Sequence, residues 1–171
     1  MIYEWKKIDG TKIENLGQYV KDYISNYPGQ YEIFIGTDSQ KVRKRNTVLF
    51  AMVVCLYRKH KGAHIIFAKH KRTDKMLKDK LIRLRTEVDY SIDIANYFME
   101  NGVLYNPDIM TIHIDISPEK KNESNLIYQE AIGWIKGMGF LVEAKPNSPA
   151  ASYCADWLVK NKNIAYSEQQ K

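Results

Sequence analysis

Cysteine is scarce in this chain, with only Cys55 and Cys154 in 171 residues. Neither has a Cys or His at metal-ligand spacing, which excludes a disulfide framework and a structural zinc site and leaves two buried thiols as the expectation. A chain of this length can fold on an apolar core alone. No apolar run approaches the roughly 20 residues of a membrane span, and residues 1–7 are too polar for a signal peptide. A cytoplasmic protein with no membrane partner is expected. Glycine-rich phosphate loops are also missing, which weighs against a phosphotransfer or nucleotide-binding protein. Repeats, low-complexity tracts and composition shifts are lacking, so 1–171 reads as one domain with an added helix near its start.

Acids are missing from one region. Between Lys41 and Arg85 there are 15 Lys or Arg against two acids, Asp74 and Asp79, whereas the rest of the chain has 11 against 18. The overall charge of +6 therefore hides a strongly basic segment inside an acidic remainder. Affinity for nucleic acid comes largely from cations facing phosphates, and a regional excess is what such a surface needs. A lysine-rich face that serves only solubility accounts for the charge equally well.

What is present is organised around Ile33-Phe-Ile-Gly-Thr-Asp-Ser-Gln40. It reads as a short buried strand, 31–37, that runs into a carboxylate. Gly36 permits close approach of backbone or ligand, and the hydroxyls of Thr37 and Ser39 flank Asp38. Taken alone, Asp38 is as well explained by an ordinary turn. A basic turn follows, with Lys41, Arg43, Lys44 and Arg45. Further β-prone runs at 47–57 and 63–69, joined by short turns, predict an antiparallel meander. Its first and third strands then end at one edge, where Lys69, Lys71 and Arg72 would join the basic turn beside Asp38.

Helices bracket these strands. Thr11 with Glu14 forms a capping-box pattern ahead of an apolar stripe, predicting a helix over 11–27. A long helix is expected over 74–101, with Leu77, Leu81, Leu84, Val88, Ile92, Ala95 and Met99 on one face. Glu87 falls on its shoulder with Ser91, Ile94 and Phe98, about 20 Å of rise from a start at Asp74. The next strand, 109–116, alternates cleanly: Ile112, Ile114 and Ile116 share one face, His113 and Asp115 the other. After a crossover of this length, parallel pairing with the first strand is expected, bringing Asp38 and Asp115 together. A lone strand histidine such as His113 is more often packed than functional, and it stays outside the candidate site. A helix over 122–136, a strand over 140–144 and a closing helix over 150–160 complete the chain. Small residues, Ala150, Ala151, Ser152 and Ala155, let the closing helix approach closely, and it carries Asp156.

The element order, with acids after the first strand, on the long helix, after the fourth strand and on the last helix, resembles the ribonuclease H-like superfamily over about 31–161. More narrowly, Ile35-Gly36-Thr37-Asp38-Ser39-Gln40, His113-Ile114-Asp115, Lys145-Pro146 and Ala151-Ser152-Tyr153 are similar to the YkuK-type family within it. The resemblance implies an α/β fold with a mixed five-stranded sheet, order 3-2-1-4-5, flanked by helices. It also implies that Asp38, Glu87, Asp115 and Asp156 hold two Mg²⁺ or Mn²⁺ ions. The activity implied is metal-dependent hydrolysis of RNA or DNA phosphodiesters. Hard cations prefer such oxygen ligands, and two of them can stabilise both oxygens of an in-line displacement. Lys41, Arg43, Lys44, Arg45, Lys69, Lys71 and Arg72 would contact the phosphate backbone. The competing expectation is a non-catalytic nucleic-acid-binding module on the same fold.

Overall fold

A computed structural model describes residues 3–42, 46–119, 121 and 123–161. Arg43, Lys44 and Arg45 lie outside the described residues. Seven strands, β1 (Trp5–Lys7), β2 (Lys12–Ile13), β3 (Tyr31–Lys41), β4 (Thr47–Arg58), β5 (Gly62–Thr73), β6 (Met110–Ile114) and β7 (Leu141–Ala144), form a single mixed sheet. Its order is β2-β1-β5-β4-β3-β6-β7. The inner five strands follow the expected order, but the sheet has seven strands, not five. The first residues, read as a lead-in, pair instead as β1 and β2 and lay Trp5 along β5, opposite Ala68. That pairing buries Trp5, while Ile8, also expected to anchor, is 45 % exposed.

The same pairing displaces the first helix. Thr11 precedes β2, so the Thr11–Glu14 box does not open a helix. Asn15 does, its side chain accepting from the Gln18 N–H at 2.9 Å, and α1 spans Leu16–Asn26. The meander is antiparallel as expected, but its strands are longer: β3 continues to Lys41 and β5 to Thr73, pairing Lys41 with Val48 and Thr47 with Thr73. Ladder hydrogen bonds join backbones, so a polar run can extend an apolar strand once its neighbour continues. Strand β4 is buried from Val48 to Leu56 on both faces, which is why its sequence reads as a continuous apolar run rather than an alternation.

Helices α1, α2 (Lys80–Glu100) and α3 (Tyr128–Gly137) cover one face, packing on Ile33, Ile35, Phe50, Met52, Ile112 and Ile114. On the other face a π-helical turn, Ala150–Ala155, leads into α4 (Asp156–Lys160), over Leu49, Ala51, Val53 and Phe67. Helix α2 begins later than its apolar stripe suggests. Residues Lys75–Lys78 form a separate 3₁₀ turn capped by Asp74, and Asp79 then caps α2 by accepting from the Leu81 and Ile82 N–H groups at 2.7 and 3.0 Å. Glu87 is thus seven residues into the helix, about 10 Å of rise. No described helix is long and apolar enough to cross a membrane.

Candidate active site

Strand alternation distributes β3 between the two faces. Thr37 and Ser39 point to α2: the Thr37 hydroxyl shares a 2.9 Å hydrogen bond with Ser91, and Ser39 donates to Glu87 Oε1 at 2.6 Å. The two hydroxyls therefore do not flank the Asp38 carboxyl, as the linear sequence suggested. Ser39 instead holds Glu87, one turn before Ser91 on the same helical stripe. Glu87 does not sit on an exposed shoulder; it is buried, 6 % exposed, because α2 lies squarely over β3.

Asp38 points to the opposite face, with Phe34 and Gly36. Strand β6 pairs with β3 in parallel, Ile35 against Ile112 and Gly36 against His113. Two residues further along each strand, the same register sets Asp38 beside Asp115, on one side of the sheet. His113 is a packed residue: its ring stacks on Phe34 at 4.6 Å, and its Nδ1 accepts from the Ala150 N–H at 3.1 Å. Burial pushes this imidazole down to about 4, so it is neutral at physiological pH, with Nε2 3.5 Å from Glu143 but not hydrogen-bonded to it. Asp115 Oδ1 accepts from the Ser152 hydroxyl at 2.7 Å and pairs with Lys145 Nζ at 2.8 Å.

Acids from two layers thus meet at one end of the sheet, around an open cleft of about 560 Å³. Asp38, Glu87 and Asp115 line it together with Glu119 and Glu123, and Lys80, Arg83 and Lys145 supply cations to its wall. Asp156 is not part of that lining. It is bound by Lys160 at 2.6 Å, although its charge is felt by Asp38. Burial, and then the charges of Asp115 and Asp156, push the Asp38 carboxyl up to about 7, partly offset by the Ser39 backbone N–H. Burial, followed by the charge of Asp38, raises the Glu87 carboxyl well above the usual range. This is the behaviour of acids crowded together with too little cation between them. Among the described residues, neither Asp38 nor Glu87 makes an ion pair.

The described cations named from the sequence, Lys41, Lys69, Lys71 and Arg72, do not form one cluster beside Asp38. Lys41 donates to the Lys78 carbonyl at 2.7 Å. Lys69 lies in the same register row as Asp38, across Ala51, but is buried, and donates to the Asn161 carbonyl at 2.9 Å. Lys71 shares that face, while Arg72 points to the other and pairs with Asp74 at 3.0 Å. Ending the third strand at Lys69 hid this split, because strand alternation sends neighbours to opposite faces. Sequence reasoning missed Lys80, Arg83 and Lys145 as cleft groups and Ser152 as the hydroxyl that holds Asp115. Arg83 could have been found, lying one helical turn before Glu87; Lys145 could have been found as the residue after a strand parallel to the one that delivers Asp115.

The donor chemistry fits a hard divalent cation: carboxylate oxygens only, desolvated and mutually repelling. Among the described residues, however, no group of three or more His, Cys, Asp or Glu is arranged to hold a metal ion. The acids converge without closing on a common point. A family model described as ribonuclease H-like matches residues 15–160. No curated protein matches the chain.

Proposed function

Because the chain belongs to the ribonuclease H-like family, we propose that it is a metal-dependent nuclease acting on phosphodiester bonds of RNA or DNA, with Asp38 at the centre of the reaction. The convergence of Asp38, Glu87 and Asp115 on one cleft that also presents Lys80, Arg83 and Lys145 carries this reading. Asp38, Glu87 and Asp115 would hold Mg²⁺ or Mn²⁺, with Asp156 at the margin. Such ions, when bound, supply Lewis acidity toward a phosphoryl oxygen and a lowered pKa for coordinated water. The narrower likeness to the YkuK-type family, at 35–40, 113–115, 145–146 and 151–153, belongs to the same proposal.

The protein's own groups do the rest. The Ser39 hydroxyl fixes one oxygen of Glu87, and the Ser152 hydroxyl fixes one oxygen of Asp115, so both carboxylates face the cleft in a set orientation. Lys80, paired with Glu123 at 3.4 Å, and Arg83, both on the first turn of α2, provide positive charge for a phosphate that the acids of the cleft would otherwise repel. Arg83 is loosely held, its Nη1 reaching the Leu77, Lys78 and Asp79 carbonyls only at 3.3–3.5 Å, so little must be broken for it to turn to a phosphate. Strand β3 carries Asp38 on one face and Ser39 on the other, and thereby joins both acid layers through a single stretch of backbone.

The test is Asp38→Asn in the full chain. Mn²⁺-dependent cleavage of labelled oligonucleotides should be abolished, while oligonucleotide binding is unchanged or tighter because a repelling charge is gone. Cleavage at the parental rate refutes the nuclease assignment. A parental protein that binds but never cleaves across RNA, DNA and hybrid substrates is a binding module instead.

A further inference from the structure

Of the four candidate acids at the sheet end, Asp115 and Asp156 are paired with lysines. Strand β7 runs parallel to β6, pairing Ala144 with Ile114, so the residues following these strands, Lys145 and Asp115, come out side by side. Their contact is 2.8 Å, and the Lys145 side chain is 46 % exposed. Asp156 is treated likewise by Lys160, whose Nζ lies 2.6 and 2.7 Å from its two oxygens. Asp38 and Glu87 make no such pair among the described residues. Two acids tied to lysines are not free to close on a shared point, which agrees with the lack of a three-ligand cluster among the described residues.

We infer that Lys145 is a resident counter-ion of the cleft: with the Ser152 hydroxyl it holds Oδ1 of Asp115, it neutralises that carboxylate in place of a divalent cation, and cation binding has to work against its charge. This rests on the metal-dependent reading above. The exchange is feasible because a half-exposed lysine pair is weak and the side chain is flexible. Ser152 keeps its bond to the same carboxylate, so Asp115 stays oriented while its partner changes. Once released, the ammonium remains on the wall of the cleft, where a substrate phosphate is its natural new partner. Lys145 is thus a positioning residue with two seats, one on Asp115 and one on the substrate.

The experiment is a Mn²⁺ titration of the full chain, by calorimetry and by electron paramagnetic resonance of free Mn²⁺, with no substrate present. Parental protein, Lys145→Gln, Lys145→Met and Asp115→Asn are compared after circular dichroism shows them folded. Removing the competing charge should tighten Mn²⁺ binding roughly tenfold in both Lys145 variants, whereas Asp115→Asn weakens it by a similar factor. Lys145 variants that bind no more tightly than parental protein, while Asp115→Asn is weakened, overturn the counter-ion role and leave the metal reading standing. Parental protein that binds no Mn²⁺ at millimolar concentrations, or that is indifferent to Asp115→Asn, overturns both.

Discussion

Replacing Gly36 by alanine tests how the last helical segment is seated on the sheet. A Cβ at this position would lie 2.5 Å from the Ala151 nitrogen, 2.8 Å from the Ala150 carbonyl carbon and 2.9 Å from Ala151 Cα. Favourable contact between such atoms is about 3.5–4.0 Å, so β3 and the π-helical turn must separate by about 1 Å. All three neighbours are backbone atoms, and no rotamer change can relieve them. Overpacking of this kind costs about 1–3 kcal/mol, and the rigidity of both partners argues for the upper end. At about 2–4 °C per kcal/mol for a chain of this size, the expected loss in Tm is roughly 6–12 °C. Thermal and urea unfolding at neutral pH would measure it, with Gly133→Ala as the counterpart. Gly133 lies on α3 with no atom within 4 Å of the added Cβ, so alanine there should stabilise by about 0.5–1 kcal/mol. A Gly36→Ala protein melting within about 1 °C of the parent would refute the packing argument.

Asp38→Asn should also change stability, in a pH-dependent way. With its carboxyl pushed up to about 7, folded Asp38 keeps its proton while the unfolded group ionises near 3.8, so its contribution is present at low pH and lost as pH rises through 7. The variant should therefore be more stable than the parent by about 1–3 kcal/mol at pH 8 and about equal at pH 4; a variant no more stable at pH 8 contradicts the crowding of acids described above. For the cysteines, burial pushes the Cys55 thiol up to about 12, and Cys154 is less enclosed. Alkylation of native protein at pH 8, followed by peptide mass spectrometry, should modify Cys154 well before Cys55; equal rates would mean that the sheet face above Cys55 opens readily.

Much of this was legible in the chain. The alternation at 111–116 fixed the side of Asp115, and the crossover rule then set it beside Asp38, because both signals are local or topological. The small residues at 150–155 and the glycine at 36 announced a close approach, and the two are each other's partners. What failed were inferences that treated polar runs as loops. Strands β3 and β5 continue through Ser39-Gln40-Lys41 and His70-Lys71-Arg72, and that continuation separates cations adjacent in sequence onto opposite faces. The start of α2 was misplaced because Asp74 and Asp79 are both competent caps, and only packing decides that the first closes a single turn. Ser39–Glu87 and Lys145–Asp115 join residues 48 and 30 positions apart, pairings that no local pattern encodes.

The hairpin of β1 and β2 has an effect on how copies of this protein can meet. It pairs with Ile66–Ala68, three of the twelve residues of β5, and so interrupts that long border in its middle, while the outermost strands, β2 and β7, are two and four residues long. A border so brief offers another chain few backbone groups to join. Growth of the sheet from molecule to molecule is thereby discouraged at both flanks, and stable association has to be built from side chains.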